Sequence, residues 1–277
     1  KKMKALFKNY IIKIFLLINK LIHKFPFFIR LFDLFMNLHF NKYKEVKLKK
    51  NSIFFLNTNF FTRYRNNTFF SKEPETLDWI DNFKENSTLY DIGANIGLYS
   101  IYAAKTKNCS VNAFEPCFFN TDYLAKNIYK NYLHKNINIF PIVLGDINQL
   151  ISFNTPNTMS GNALSQASFQ SSTNSFAAEC IYNLPCFTLD MIIKYFKLKQ
   201  PDYLKIDVDG AELEILKGSK VTLKKVKSIL IEVDNSDLLK KDKITEILIN
   251  NQFKIEFETK PVHLNTGTQN QIWKKHY

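Results

Sequence analysis

The sequence lacks any apolar run that could cross a membrane. Its longest uninterrupted apolar stretch, residues 14–18, is far shorter than the roughly 20 residues that a transmembrane helix needs. Cysteine is also scarce, and Cys109, Cys117, Cys180 and Cys186 show no close pairing of the kind that binds metals. Nothing resembles a secretory signal followed by a small-residue cleavage site. We therefore expect reduced thiols in a cytoplasmic protein.

Acidic residues are scarce at the start of the chain. Residues 1–50 hold 13 lysines and arginines against Asp33 and Glu45, a net charge of +11, whereas the other 227 residues hold 25 basic and 23 acidic side chains. The total charge of +13 therefore describes an N-terminal arm rather than the body of the protein. With 277 residues and 45% hydrophobic content, the chain can bury one sizeable core and carry a small appendage.

Residues 3–25 have the pattern of a basic amphipathic helix. One helical face collects the apolar side chains of Met3, Leu6, Phe7, Tyr10, Ile14, Leu17, Ile18, Leu21 and Phe25. Lysines lie largely opposite, which suits an anionic membrane surface. The alternative is that the apolar face packs on the body or on a second subunit. A nucleic-acid partner is not expected, because the basic residues interleave with a continuous apolar stripe.

The central motif lacks the third glycine of a dinucleotide-binding fingerprint. Residues 88–100 read as a short buried strand, a turn with two glycines and an apolar helix. Gly93 allows a tight or left-handed turn, and Gly97 allows the helix to begin close to the strand and to a ligand. A second predicted strand ends at Glu115, about two dozen residues after Asp91, where nucleotide folds place the carboxylate that accepts ribose hydroxyls. An adenosyl cofactor with a cationic tail fits this motif better than a pyrophosphate cofactor.

These motifs resemble the S-adenosylmethionine-dependent methyltransferases of the FkbM type. The resemblance rests on Asp91-x-Gly93-x-Asn95-x-Gly97, Phe114-Glu115-Pro116, Leu184-Pro185 with Thr188-Leu189-Asp190, and Lys205-Ile206-Asp207-Val208-Asp209-Gly210-Ala211-Glu212. It extends from about Phe70 to Val233, and its last stretch is the most specific. Members usually have Glu where this chain has Asp209. The resemblance implies that S-adenosylmethionine is bound by Asp91, Gly93, Asn95, Gly97, Glu115 and Asp207.

Alternating strands and helices predict an α/β fold with a doubly wound, mostly parallel seven-stranded sheet and a reversed edge. With the resemblance, this becomes a class I, Rossmann-like methyltransferase domain over residues 51–277, with its motif core at 70–235, behind a helical arm of residues 1–50. Asp146 follows the third strand, where open α/β sheets bind ligands, and we expect it to receive the adenine amino group or to be a plain turn residue. A polar segment at about 150–183 is interpreted as a substrate lid or hairpin, with disorder as the alternative.

Three carboxylates are the candidate catalytic residues. Methyl transfer from a sulfonium is an in-line displacement that needs alignment and exclusion of water, but a sugar hydroxyl also needs its proton removed. Asp207 is the first candidate for the base, with Asp209 and Glu212 next. The alternative is that Asp207 holds the amino group of the cofactor's methionine moiety.

A metal site is an alternative reading of the same edge. Asp207, Asp234 and Asn235 resemble the oxygen ligands of the catechol-type methyltransferases, in which Mg²⁺ holds the acceptor oxygen. FkbM-type sequences do not generally show that site, so we expect no metal.

We therefore expect a cytoplasmic S-adenosylmethionine-dependent O-methyltransferase, peripheral at the inner membrane surface through residues 3–25. Its acceptor, as the resemblance implies, is a sugar hydroxyl of a surface polysaccharide or glycolipid precursor. The alternatives are O-methylation of a small hydroxylated metabolite such as a polyketide, and a binding module that kept the nucleotide fold without catalysis.

Overall fold

The structure, a computed structural model, describes residues 10, 12–18, 20, 25–40, 42–169, 179–260 and 267–276. Its contacts divide the chain into two compact units, Lys1–Tyr43 and Lys44–Tyr277. In the first unit, residues 12–18 are helical and α1 spans Pro26–Phe40. No helix in the described ranges has the length and apolarity to cross a membrane. The rest of the predicted helix at 3–25 lies outside the described residues.

A small sheet, whose first strand starts at the last residue of the first unit, and two helices come next in the chain. Strands β1 (Tyr43–Lys47) and β2 (Ser52–Leu56) pair with each other. Helix α2 (Phe60–Asn67) begins with a capping box, in which the Asn59 side chain accepts from the Thr62 N–H. Helix α3 (Pro74–Asp81) starts at a proline, as its sequence predicts.

A seven-stranded sheet forms the centre of this unit. Its strands are β3 (Thr88–Ile92), β4 (Ser110–Phe114), β5 (Ile137–Phe140), β10 (Tyr203–Ile206), β11 (Ser228–Asp234), β12 (Phe253–Glu258) and β13 (Thr268–Lys275); the four strands of a second sheet come between β5 and β10 in the chain. The order across the sheet is β12-β13-β11-β10-β3-β4-β5. Strands β11, β10, β3, β4 and β5 are mutually parallel, and β13 is antiparallel to both its neighbours.

Helices cover both faces of the sheet, so the predicted doubly wound fold is confirmed. The remaining helices are α4 (Leu98–Lys107), α5 (Phe118–Lys130), α6 (Leu189–Tyr195), α7 (Glu212–Lys217) and α8 (Leu238–Asn250). Neighbouring strand residues belong to different apolar clusters: Leu89 packs with α3, α4 and α5, whereas Tyr90 packs with α6, α7 and α8. This alternation is the expected pattern for a sheet that is buried on both faces.

Two details differ from the prediction. The reversed strand is not at the edge, because β13 inserts between β11 and β12. The predicted third strand, residues 137–143, is also shorter, because β5 ends at Phe140, just before Pro141, which cannot donate a ladder hydrogen bond.

The polar segment belongs to a second, four-stranded sheet. Strands β6 (Val143–Leu144), β7 (Gln149–Thr155), β8 (Gln166–Ala167) and β9 (Cys180–Phe187) pair in the order β6-β9-β7-β8. Strands β7 and β9 form a regular antiparallel ladder from Gln149–Cys186 to Thr155–Cys180. Residues 170–178 of the predicted lid lie outside the described residues.

Candidate active site

A cleft lies at the carboxyl edge of the seven-stranded sheet. It receives residues from four neighbouring strand ends, those of β4, β3, β10 and β11. The charged and amide side chains that line it are Arg65, Lys72, Asn95, Glu115, Asn120, Asn162, Asp207, Asp209 and Glu232. Open α/β sheets bind ligands at this edge, so the fold itself directs attention to these residues.

The turn after β3 brings two strand ends into close contact. Gly93 has φ +83°, and a Cβ at this position would lie 1.8 Å from the Asp207 carbonyl oxygen. Only glycine therefore satisfies both the left-handed backbone and the approach of β10. Gly97 (φ +87°) does not line the cleft; a Cβ there would lie 2.4 Å from Leu124 Cδ1. At Gly97 the close neighbour is thus a side chain of α5, whereas the expected neighbours were the strand and a ligand.

Glu115 follows β4 and is buried at one end of the cleft. Its carboxylate accepts hydrogen bonds from the backbone N–H of Asn95 at 2.7 Å and of Cys117 at 2.9 Å. Burial raises the pKa of Glu115 to about 7, against the lowering effect of these donors. A carboxyl group that is protonated in part of the molecules at neutral pH can accept from a hydroxyl-bearing ligand in its ionised form and donate to it in its neutral form.

Residues 160–164, which we call the strap, cross the cleft between Glu115 and Asp209. Asn95 donates to the Asn162 carbonyl oxygen at 2.8 Å, Arg65 Nε donates to that of Gly161 at 2.6 Å, and the Leu164 N–H donates to Asp209 at 2.6 Å. The Asn162 Nδ2 atom is buried in the cleft lining and has no hydrogen-bond partner among the described residues. The strap is thus tied to three separate elements while one of its own donors stays free.

Lys205 organises the charges beneath the cleft. It is 1% exposed, and its ammonium donates to Asp207 Oδ2 at 2.6 Å while lying 5.0 Å from the centre of the Tyr99 ring. Burial would lower the pKa of Lys205, but Asp207, Asp91 and Glu73 together raise it. Burial would likewise raise the pKa of Asp207, but the ion pair and hydrogen bond with Lys205 outweigh burial and lower it. Both groups therefore stay charged at neutral pH.

Asp91 lies beneath the cleft rather than in its lining. It is 1% exposed, and its carboxylate accepts from the Ser100 hydroxyl at 2.6 Å. Its Oδ1 atom has no hydrogen-bond partner among the residues that the structure describes. Burial raises the pKa of Asp91, and Lys205 opposes that rise. Asp91 therefore acts on the site by helping to raise the pKa of Lys205.

Three further acidic residues lie near the ends of two strands, Asp209 and Glu212 after β10 and Glu232 within the last residues of β11. Burial, reinforced by repulsion from Asp207, raises the pKa of Asp209 to about 6 and of Glu232 to about 8. Both line the cleft, whereas Glu212 does not. Glu212 accepts from the Gly210 N–H at 3.1 Å and pairs with Lys240 at 3.5 Å, and burial raises its pKa to about 7. Its expected catalytic role is not supported, because both partners hold it at the start of α7.

Three other predicted residues also lie outside the cleft lining. Asp146 is exposed, so its expected contact with adenine is not supported. Asp234 accepts from the Ser236 hydroxyl at 2.7 Å, and Asn235 donates to the Gly267 carbonyl oxygen at 3.1 Å. These local bonds do not bring them together with Asp207 as a ligand set. In the described part of the chain no group of three or more His, Cys, Asp or Glu is arranged to hold a metal.

Several residues of the cleft are not predicted by the sequence motifs. Glu232 lies inside an otherwise apolar strand, Arg65 precedes the motif core, and Lys72 lies at its start, ahead of the quoted motifs. Asn120 lies in the first turn of α5, outside all the motifs, and its side chain accepts from the Gly161 N–H at 2.7 Å. An acidic side chain within an otherwise apolar strand was the available signal for Glu232.

Together, the fold and the cleft define a doubly wound α/β protein whose cleft lies at the carboxyl ends of its parallel strands, where such folds bind nucleotide-type cofactors. The family described as the methyltransferase FkbM domain matches residues 91–255. The chain therefore belongs to the FkbM methyltransferase family, and the resemblance in its motifs is confirmed.

Two curated methyltransferases are similar to a portion of the chain. The hexuronic acid methyltransferase AglP of Haloferax volcanii is 26% identical over 156 residues, which are 56% of this chain and 59% of AglP. The methyltransferase sdnD of Sordaria araneosa is 27% identical over 164 residues, and the match covers 50% of this chain and 62% of sdnD. The chain thus spans about three fifths of the length of these relatives.

Among solved structures, the methyltransferase FkbM of Methylobacillus flagellatus KT is similar at 18% identity with a TM-score of 0.45. The likeness covers 70% of this chain and 44% of that one.

Proposed function

We propose that the protein is an S-adenosylmethionine-dependent O-methyltransferase. The observation that carries the proposal is the line of groups along one sheet edge: Glu115 after β4, the Gly93 turn after β3 and Asp207 after β10. Adjacent strands lie about 4.8 Å apart, so Glu115 and Asp207 are separated by roughly 10 Å. That separation suits an extended nucleoside whose ribose lies at Glu115 and whose charged amino-acid group lies at Asp207.

The residues present fit this cofactor. Gly93 lines the cleft with backbone alone, and the free Asn162 Nδ2 supplies a buried donor. Asp207 is ionised at neutral pH and can hold an ammonium or sulfonium group. When bound, S-adenosylmethionine supplies a methyl group that is already activated for displacement, so the protein must mainly position the acceptor and exclude water.

The acceptor that we propose is a sugar hydroxyl of a surface polysaccharide or glycolipid precursor. AglP, by name a hexuronic acid methyltransferase, supports a sugar acceptor. Arg65 and Lys72, which line the cleft, could pair with the carboxylate of an acidic sugar. The second candidate function is methylation of a small hydroxylated metabolite.

Two measurements test this function. Calorimetry with S-adenosylmethionine should show binding, and mass spectrometry should then show one added methyl group on a member of a panel of methyl glycosides that includes glucuronic, galacturonic and neutral sugars. Absence of cofactor binding would contradict the enzyme proposal and favour a binding module. Binding with transfer only to non-sugar hydroxyl compounds would favour the small-metabolite reading.

We further propose that the first unit contacts an anionic membrane surface, on the cytoplasmic side. Along residues 12–18 and α1, many large apolar side chains are exposed, among them Phe15, Leu17, Phe27, Leu31 and Leu38. The same region of the sequence carries most of the protein's net positive charge. Exposed apolar groups interleaved with lysines suit the interface of an anionic bilayer better than nucleic acid, which offers no apolar layer.

A further inference from the structure

We propose that Glu232 is the general base that removes the proton from the acceptor hydroxyl. The inference rests on the proposed O-methyl transfer. Glu232 lies one residue beyond Ile231, which pairs with Ile206 across parallel strands, so its neighbour on β10 is Asp207. The two side chains therefore leave the same face of the sheet, at adjacent strand ends and in one cleft.

Glu232 also lies at the acceptor end of the cleft. Glu115 and Glu232 are the outermost carboxylates of the four contributing strands, about 14 Å apart at the usual strand spacing. The charged end of a cofactor that extends from Glu115 to Asp207 lies a single strand away from Glu232. The space between Asp207 and Glu232 is therefore where we expect the acceptor oxygen to lie.

The hydrogen bonds of Glu232 leave one oxygen available. Its Oε1 atom accepts from the Thr268 hydroxyl at 2.8 Å, and no described residue donates to Oε2. Asp207 and Asp209 likewise have one engaged oxygen each, but their donors are an ammonium and a backbone N–H rather than a hydroxyl. Asp207 is paired with Lys205 at 2.6 Å, and Asp209 accepts from the Leu164 N–H at 2.6 Å.

The surrounding charges explain why Glu232 suits this task better than Asp207. A general base works best when its pKa is near the working pH. Burial, together with Asp207, raises the pKa of Glu232 to about 8, whereas Lys205 lowers that of Asp207 and leaves it a poor proton acceptor. The charged and titratable groups that face Glu232 from the neighbouring elements are Asp207, Asp209, Glu212, Arg65, Lys72 and, through Asn270, Glu75.

The reaction balances without another reagent. The acceptor hydroxyl gives its proton to a Glu232 carboxylate oxygen, and the acceptor oxygen forms a bond to the methyl carbon. The bond from that carbon to sulfur breaks, and its electron pair stays on the sulfur. The negative charge of Glu232 and the positive charge of the sulfonium both disappear, so the step neutralises a buried ion pair.

Glu232→Gln keeps the shape of the side chain and removes its basicity. We expect kcat to fall by about 10²- to 10⁴-fold while the Kd for S-adenosylmethionine stays within about twofold of the wild-type value. In the wild type, kcat/KM for a methyl glycoside should rise as pH passes through about 8, because only the ionised carboxylate accepts a proton. Glu232→Asp should restore some of the rate together with this pH dependence.

Glu256→Gln is the matched control, because Glu256 lies on β12 of the same sheet and forms a surface ion pair with Lys274.

A second measurement needs no acceptor: NMR of protein labelled with carboxyl-¹³C glutamate should show one resonance that titrates near pH 8, shifts on addition of S-adenosylmethionine and is absent from Glu232→Gln.

The outcomes separate the two proposals. Failure of the wild type to bind S-adenosylmethionine contradicts the proposed function itself. Cofactor binding and turnover in Glu232→Gln equal to Glu256→Gln overturns only the role of Glu232. A Glu232 resonance that titrates at an ordinary carboxyl value, near 4, overturns it as well, even if no glycoside in the panel is methylated.

Discussion

At the scale of single residues, the cleft depends on charges that are fixed by their immediate neighbours. Lys205 holds Asp207 in the ionised form, and the same ammonium lies close enough to influence Asp91 and Glu73. Breaking such a buried pair by removing one partner usually costs about 3–5 kcal/mol, because it leaves a charge without compensation. Because Asp207 pairs with Lys205, its pKa is lowered, whereas burial raises the pKa of Asp209 only two residues away.

Gly93 gives the first prediction at this scale. Gly93→Ala should destabilise the protein by about 2–4 kcal/mol and weaken cofactor binding, because a methyl group would overlap the Asp207 carbonyl oxygen and strain a left-handed backbone. Gly267→Ala is the control, since Gly267 has φ +95° but no atom within 4 Å of the added Cβ. Urea unfolding of both variants measures the difference. Equal losses of unfolding free energy would show that backbone strain alone matters at Gly93.

At the scale of elements, the order of strands and helices could be predicted well from the sequence. The position of β13 between β11 and β12, and the pairing of the polar segment into a second sheet, could not. From the sequence alone we predict helices at 98–105, 212–217 and 237–250, and these correspond closely to α4, α7 and α8, because apolar periodicity and helix end signals are local properties. The insertion of β13 beside β11 depends instead on pairing between distant segments. No local pattern encodes such a register.

The candidate site divides in the same way. The positions of Gly93, Glu115 and Asp207 followed from motif spacing, because each ends a strand of one parallel sheet. Glu212 and Asp146 do not line the cleft, and spacing could not show this, since neither the direction of a side chain after a strand end nor its local hydrogen bonds can be inferred from it. Arg65 entered the cleft through packing of α2, which lies far from the motifs in sequence.

The strap provides the prediction at the element scale. Asn162→Ala should weaken binding of S-adenosylmethionine by about tenfold, roughly 1.4 kcal/mol, because it removes the free buried donor that faces the cleft. Asn154→Ala is the matched control, because Asn154 lies on β7 of the same hairpin and its amide is bonded to Ser168, away from the cleft lining. Calorimetry compares the two Kd values. A Kd for Asn162→Ala that matches the control would exclude a contact between the strap and the cofactor.

At the scale of the whole molecule, the raised carboxyl pKa values link stability to pH. Glu115, Asp209, Glu212 and Glu232 have pKa values of about 7, 6, 7 and 8 in the folded state, against about 4 in an unfolded chain. Between these limits the folded state binds more protons than the unfolded state, so stability is highest below about pH 4 for these groups and falls as pH rises towards 8.

Thermal unfolding of the ligand-free protein should accordingly show a Tm that decreases from pH 5 to pH 8.5. The double variant Glu115→Gln, Glu232→Gln should show a flatter dependence, because two of the titrating groups are gone. S-adenosylmethionine, a cation, should raise Tm more at the upper end of this range, where the carboxylates are ionised. A Tm that increases steadily with pH would contradict the assignment of these groups as buried and destabilised in the ionised form.

The arm supplies the last prediction, because its charge and its exposed apolar residues act together on one kind of surface. The full chain should co-sediment with vesicles that contain anionic phospholipid, and a chain lacking residues 1–40 should not. Binding should weaken when salt is raised from about 0.1 M to 1 M, since the screening length falls from about 10 Å to 3 Å. Phe15→Ser with Leu17→Ser keeps the net charge but removes exposed apolar area, and should reduce binding even at low salt. If the full chain and the chain lacking residues 1–40 partition equally, the arm has no membrane role. If the double variant binds like the wild type, attraction between charges alone accounts for the contact. The apolar face would then pack against protein instead.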